Sequence, residues 1–404
     1  MAKNIVICSD GTGQDGLKQT NVSRLFTILD LSDAENQIAC YDPGVGTIPH
    51  PEVSTTVSRR DPGVVSVPAI DSPTAVSRHL RRWAGLAVGY GLFQNVKEMY
   101  EVLIDHYAEG DHIFLFGFSR GAFTVRVLAG LLFRCGLLLP EHRGRYSQAF
   151  KLYEPHFEKL KLDQLTKLRA DINKFRSSYS RPFKEISFLG IWDTVKSVGY
   201  IWPKSLPHTR RNPIVKTVRH ALSIGESRSF FVSTTWGGLD GDTEPPIEGQ
   251  DVKEVWFAGS HSDVGGGYEE EESDLAKISL KWMIKETYVS GLHVDKSRYQ
   301  QVFAQDPTPS FTSHDELEKW LWRFSERLPR WELENDPPPP RRLFRWGPTG
   351  RRSIGKSARK GVVLIDSLAK EFYSTKVPPW SDIDSKSKVK FGVQFVNTAD
   401  GASV

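Results

Sequence analysis

Apolar runs of strand length alternate along this chain with stretches whose apolar residues recur every three or four positions. The first run, Ile5-Val6-Ile7-Cys8, reads as a buried strand over 4–9 that stops at Asp10-Gly11-Thr12-Gly13. Runs of the same texture return at His112–Phe116, Ile186–Trp192 and Val255–Ala258. Between them, Leu92, Val96, Met99, Tyr100, Leu103 and Ile104 predict an amphipathic helix over 92–107, with Gly110 beyond its end. The run from Ala122 to Leu139 predicts a buried helix, and Leu275, Ile278, Trp282 and Met283 a later one starting near Ser273. Strands that are continuously apolar, rather than alternating, belong to parallel sheets covered on both faces. The expected fold class is therefore α/β: a mainly parallel sheet with helices on both faces and inserted loops.

Two stretches depart from this rhythm. Residues 51–77 are rich in Pro, Ser, Thr and Val without periodicity and read as a loop excursion. Beyond Gly291 the pattern weakens; Pro337–Pro340 form a stiff spacer, and 341–360 hold eight basic residues and no acidic one, with Phe344 and Trp346 between them. The organisation expected is a catalytic domain over 1–300 and an extension over 301–404 packed on it, carrying the Pro-rich and basic loop 337–360. A net charge of +4 over 404 residues does not suit a nucleic-acid binder. No apolar run reaches the ~20 residues of a membrane span. The start, Met1-Ala2-Lys3-Asn4, lacks the features of a secretory signal, so a cytoplasmic location is expected, with export by a signal-independent system compatible. Three scattered cysteines, Cys8, Cys40 and Cys135, read as buried thiols.

The chemistry concentrates at strand ends. Gly117-Phe118-Ser119-Arg120-Gly121 is Gly-x-Ser-x-Gly between a buried strand and a buried helix, the context of a nucleophile elbow. A serine hydroxyl needs a base to take its proton and the base an orienting carboxylate, in the order Ser, acid, His for this fold. Asp193 closes the run ending at Trp192, and His261 follows the run ending at Ala258. The candidate catalytic set is Ser119, Asp193 and His261. The Arg120 amide is the first candidate oxyanion donor, and Gly11 or Thr12, in the loop after the first strand, the second. Asp10, Gly117, Gly121 and Asp263 are the supporting residues, Asp263 shaping the loop around the base. Neither a metal nor a cofactor is called for by this set.

At these residues the chain resembles the α/β-hydrolase family that includes the Tle1-like phospholipase effectors of bacterial type VI secretion. The resemblance rests on Ser9-Asp10-Gly11-Thr12, Thr20-Asn21-Val22, Tyr41 to Thr47, Phe116 to Phe123, Gly190 to Val195 and Val255 to Tyr268, spread over most of 4–290. It implies lipase or phospholipase chemistry, with Ser119, Asp193 and His261 as triad and a lipid ester as substrate. Residues 51–77 lie outside the shared pattern, and esterase is the broader expectation.

Two rivals remain at this level. Gly350-Arg351-Arg352-Ser353-Ile354-Gly355-Lys356-Ser357 matches the phosphate-binding loop pattern, but Phe344-Arg345-Trp346-Gly347-Pro348 before it is no buried strand. The stretch 341–360 fits better as a loop, or as a contact for anionic lipid headgroups. A non-enzymatic binding protein on the same scaffold is the other reading. The oligomeric state is not set by any of these features.

Overall fold

The computed structural model describes residues 2–11, 19–44, 61–66, 86–195, 206–228, 231, 234–237, 247–304, 313–315, 330–334, 341–345, 362–367, 369, 373 and 392–398. Thr12, most of the 51–77 excursion, Pro337–Pro340 and the 350–357 match lie outside the described residues; of the stretch expected as a basic loop, 341–345 are described, and they form a strand instead, paired with 330–334.

Eight strands make one sheet: β1 (Asn4–Ser9), β2 (Gln37–Asp42), β3 (His112–Phe118), β4 (Ile186–Trp192), β5 (Val215–Ser223), β6 (Asp251–Phe257), β7 (Val362–Asp366) and β8 (Gly392–Val396). Their order is β8-β7-β6-β5-β4-β3-β1-β2, and every pairing is parallel. Short antiparallel ladders join Leu137–Leu138 to Ser180–Arg181 and Arg330–Glu334 to Arg341–Arg345.

Alternation along β1 sends its side chains to opposite layers. Ile5 and Ile7 enter one core, with α2 (Leu86–His106), α3 (Arg120–Cys135), α4 (Tyr146–Tyr153) and Phe175 of α5 (Leu162–Tyr179). Val6 and Cys8 enter the other, with α1 (Asn21–Ile28), α7 (Asp274–Val289) and, at its margin, α8 (Lys296–Val302). A parallel sheet covered on both faces is an α/β-hydrolase-like arrangement, and it explains why its strands read as unbroken apolar runs.

The helix expected to run to Leu139 stops at Cys135. Gly136 takes φ 75°, its amide closes on the Leu132 carbonyl at 2.9 Å, and the chain turns into the short strand Leu137–Leu138. β2 and β3 lie on opposite sides of β1, so the strand order reverses there, and the carboxyl ends of strands at such a reversal are where open α/β sheets take their ligands. That edge carries the candidate residues Ser119, Asp193 and His261.

Candidate active site

Ser119 stands between β3 and α3 at φ 57° and ψ −118°, a conformation side chains avoid. The turn is held from the next strand: the Ser119 amide donates to the Trp192 carbonyl at 3.0 Å, and the Val195 amide reaches the Ser119 carbonyl at 3.4 Å. Its tightness requires the flanking glycines. A Cβ on Gly121 would collide with the Ser9 carbonyl, and one on Gly117 would lie 2.6 Å from the Ala122 amide. The α3 helix starts at Arg120, so the positive end of its dipole lies beside the serine.

Asp193 follows β4 in a second positive-φ conformation, φ 35°. Its amide donates to Ala221 at 2.8 Å, and its Oδ1 accepts from the Ser223 amide at 3.1 Å. Its Oδ2 lies 2.6 Å from His261 Nδ1. His261 is the first residue of α6 (His261–Gly265), whose cap is Ser260 with Asp263 in a reciprocal capping box. With Nδ1 facing the carboxylate, Nε2 is the nitrogen left to act as base. The imidazole ring lies 4.5 Å from that of Phe118, the residue before Ser119. Burial pulls its pKa below the ordinary histidine value, against the hydrogen bond and charge of Asp193. Ser119, Asp193 and His261 are all buried.

The loop after β1 approaches the serine directly: a Cβ on Gly11 would sit 3.8 Å from Ser119 Oγ. The Gly11 amide, however, donates to Asp10 Oδ1 at 2.7 Å. Asp10 Oδ2 accepts from Tyr41 Oη at 2.8 Å and from Thr20 Oγ1. Burial raises the Asp10 carboxyl to about 6 in spite of these donors.

Residues 3–286 match the model of the type VI secretion phospholipase effector family, the Tle1-like catalytic domain. The chain belongs to this family. An uncharacterized protein of Saccharomyces cerevisiae is 32% identical over 232 residues, which are 57% of this chain and 32% of that protein, so the chain spans about a third of that relative. Two solved structures are similar to it. An uncharacterized protein from Pseudomonas aeruginosa is 19% identical, with TM-score 0.39, over 81% of this chain and 51% of that one. The Tle1 effector bound to the VgrG spike of the type 6 secretion system is 13% identical, with TM-score 0.38, over 87% and 90%.

Around the candidate site the structure shows contacts to residues that the sequence did not flag and to Asp263, which it did. The turn after β5 brings Glu226, Arg228 and Phe231 to His261: the His261 amide donates to Glu226 Oε2 at 3.1 Å, and the Phe231 ring stands edge-on at 4.8 Å. Asp263 Oδ2 accepts from the amides of Ser260 and His314, at 2.8 and 3.0 Å, and its Oδ1 lies 2.7 Å from His314 Nδ1. Glu226, Arg228 and Phe231 had one available signal, their position past a strand at this same edge, and β5 itself was unread. Among the described residues no group of three or more His, Cys, Asp or Glu is placed to hold a metal ion. No helix there is long and apolar enough to cross a membrane.

Proposed function

We propose that this chain is a serine hydrolase that cleaves carboxylic esters of lipids, phospholipids first among them, through an acyl-enzyme on Ser119. The observation that carries the reading is the Asp193–His261 contact of 2.6 Å at the sheet edge where the strained Ser119 turn stands. The membership in a phospholipase effector family supports the lipid substrate.

In this mechanism His261 Nε2 takes the Ser119 hydroxyl proton as Oγ attacks the ester carbonyl, and Asp193 stabilises the imidazolium that forms. The Arg120 amide donates to the developing oxyanion. The second donor is the Gly11 amide, which would exchange Asp10 Oδ1 for the oxyanion, or the Thr12 amide. His261 returns its proton to the leaving alkoxide, then activates water to release the acid and restore Ser119. Asp263 supports the base through its helix. Membrane-surface contact through 341–360 suits a substrate held in a bilayer.

The test is release of fatty acid from phospholipid vesicles, and of p-nitrophenol from acyl esters, by wild type and Ser119→Ala. The reading expects hydrolysis lost in Ser119→Ala at unchanged fold. Equal rates in the two proteins, or a folded wild type inert toward both substrate classes, would reject it.

A further inference from the structure

The segment that follows β5 touches both partners of the Asp–His pair. At its start the Ser223 amide donates to Asp193 Oδ1 at 3.1 Å, and Ser223 Oγ donates to the Gly259 carbonyl at 2.8 Å. Ile224 and Gly225 then bond through their amides to the carbonyls of Phe257 and Gly259, at 3.0 and 2.8 Å. Three residues past Ser223, the segment returns with a carboxylate. Glu226 is 1% exposed and Arg228 5% exposed, so an ion pair is buried against the base. Glu226 Oε1 accepts from the Arg228 amide at 2.7 Å and from Arg228 Nε at 2.8 Å; Oε2 accepts from Arg228 Nη2 at 2.8 Å and from the His261 amide at 3.1 Å. The Arg228 guanidinium lies 3.7 Å from the centre of the Phe231 ring, which is edge-on to His261.

We infer that Glu226 and Arg228 form a positioning pair, which fixes the main chain of His261 through Glu226 Oε2 and its ring through Arg228 and Phe231, so that Nε2 is held for proton transfer with Ser119. The inference rests on the serine-hydrolase reading. A buried ion pair is a poor source of stability, because desolvating both charges offsets most of their attraction. Here it gives geometry without adding net charge beside the base. Asp193 anchors Nδ1 and Glu226 the amide, and Phe118 packs on the ring from the nucleophile turn. The opposite charges also act on the imidazole with opposite signs: Glu226 favours the imidazolium and Arg228 disfavours it. Among the described residues the further charged groups around it are Asp193 and, within its own helix, Asp263, which holds His314.

The test follows the pH dependence of fluorophosphonate labelling in the full chain, for wild type, Ser119→Ala, Glu226→Gln and the double variant Glu226→Gln with Arg228→Gln. Glutamine keeps an acceptor for the His261 amide but removes the Glu226 charge. The expected result for Glu226→Gln is labelling slowed on the order of 10- to 100-fold, the scale of a small misplacement of a catalytic group. Its acid limb should move to lower pH, because the Glu226 charge that favours the imidazolium is gone. The double variant should return the limb toward the wild-type position while staying slow. Wild-type rate and an unmoved limb in folded Glu226→Gln would overturn the inference. A wild type that fails to label at Ser119 would reject the hydrolase reading instead. Should Glu226→Gln not fold, judged by circular dichroism, Arg228→Gln carries the test with the limb expected to move up, and an unmoved limb there overturns the inference.

Discussion

Two of the imidazole–carboxylate pairs among the described residues differ in where they stand. His261 Nδ1 is 2.6 Å from Asp193, and His220 Nδ1 is 2.8 Å from Glu254. Both histidines are buried and both have pKa values lowered, with burial the largest cause. His220 sits inside β5, beside Ile191 of β4, with Arg126 Nη2 and Thr194 Oγ1 each 3.4 Å from its ring nitrogens. Glu254 Oε1 also accepts the Trp236 amide at 2.7 Å. That pair ties strands to the helix above them. His261 lies past the end of β6, against the residue that precedes Ser119. A histidine held by a carboxylate is therefore no signature of a base by itself; of the two, His261 is the one at the strand ends, packed on the residue before a strained serine.

The sharpest way to break the comparison is to remove each member in turn. His261→Ala, and Asp193→Asn through the wrong tautomer, should each slow ester hydrolysis by about 10⁴-fold with the fold intact. His220→Gln should leave the rate per folded molecule near wild type. A rate loss of similar size in His220→Gln would erase the distinction.

A buried carboxylate near the same edge gives the next effect, with a sign worked out from its raised pKa. Between the ordinary value of 3.8 and about 6, folded Asp10 binds more protons than the unfolded chain, so its contribution to stability is present below that window and lost as pH rises through it. The stability of wild type relative to Asp10→Asn should then fall by up to about 3 kcal/mol between pH 4 and pH 7, at ~1.4 kcal/mol for each pH unit that separates the folded value from the ordinary one. Urea unfolding at the two pH values reads this difference, and a flat difference would contradict the buried-charge account of Asp10.

The structural pair should show itself in stability alone. His220→Leu leaves Glu254 without one of its partners and should cost about 1–3 kcal/mol in urea unfolding, with labelling of Ser119 retained. The smallest expected effect is kinetic. Because burial lowers the His261 pKa, the neutral base persists to more acidic pH than a free histidine, and the acid limb of kcat/KM should lie below pH ~6.5.

Legibility in the sequence followed burial on both faces. The runs 4–9, 112–116, 186–192 and 255–258 fall on β1, β3, β4 and β6, and the helices expected over 92–107 and from near Ser273 fall within or close to Leu86–His106 and Asp274–Val289. β5 was unread because Lys216, Thr217, Arg219 and His220 interrupt its apolar pattern. Buried Arg219 and His220 are tolerated there because Glu286, Asp251 and Glu254 reach them from α7 and β6, a fact of tertiary structure alone. β7 and β8 were unread for another reason: each is five residues long, and they follow a stretch of weak pattern. Within the candidate site, Ser119, Asp193 and His261 stand at strand ends, as the sequence leads one to expect, because each follows an apolar run. Glu226 and Arg228 were not, since the strand that delivers them carries no clear apolar run. The Gly11 amide turned toward Asp10 is a matter of side-chain geometry that no spacing encodes.

The most direct test of the central claim is peptide mapping by mass spectrometry after fluorophosphonate treatment of the full chain. The account predicts one adduct, on Ser119, present in wild type and His220→Gln and absent from Ser119→Ala and His261→Ala. A folded wild type that carries no adduct, or an adduct that persists in Ser119→Ala, would contradict it.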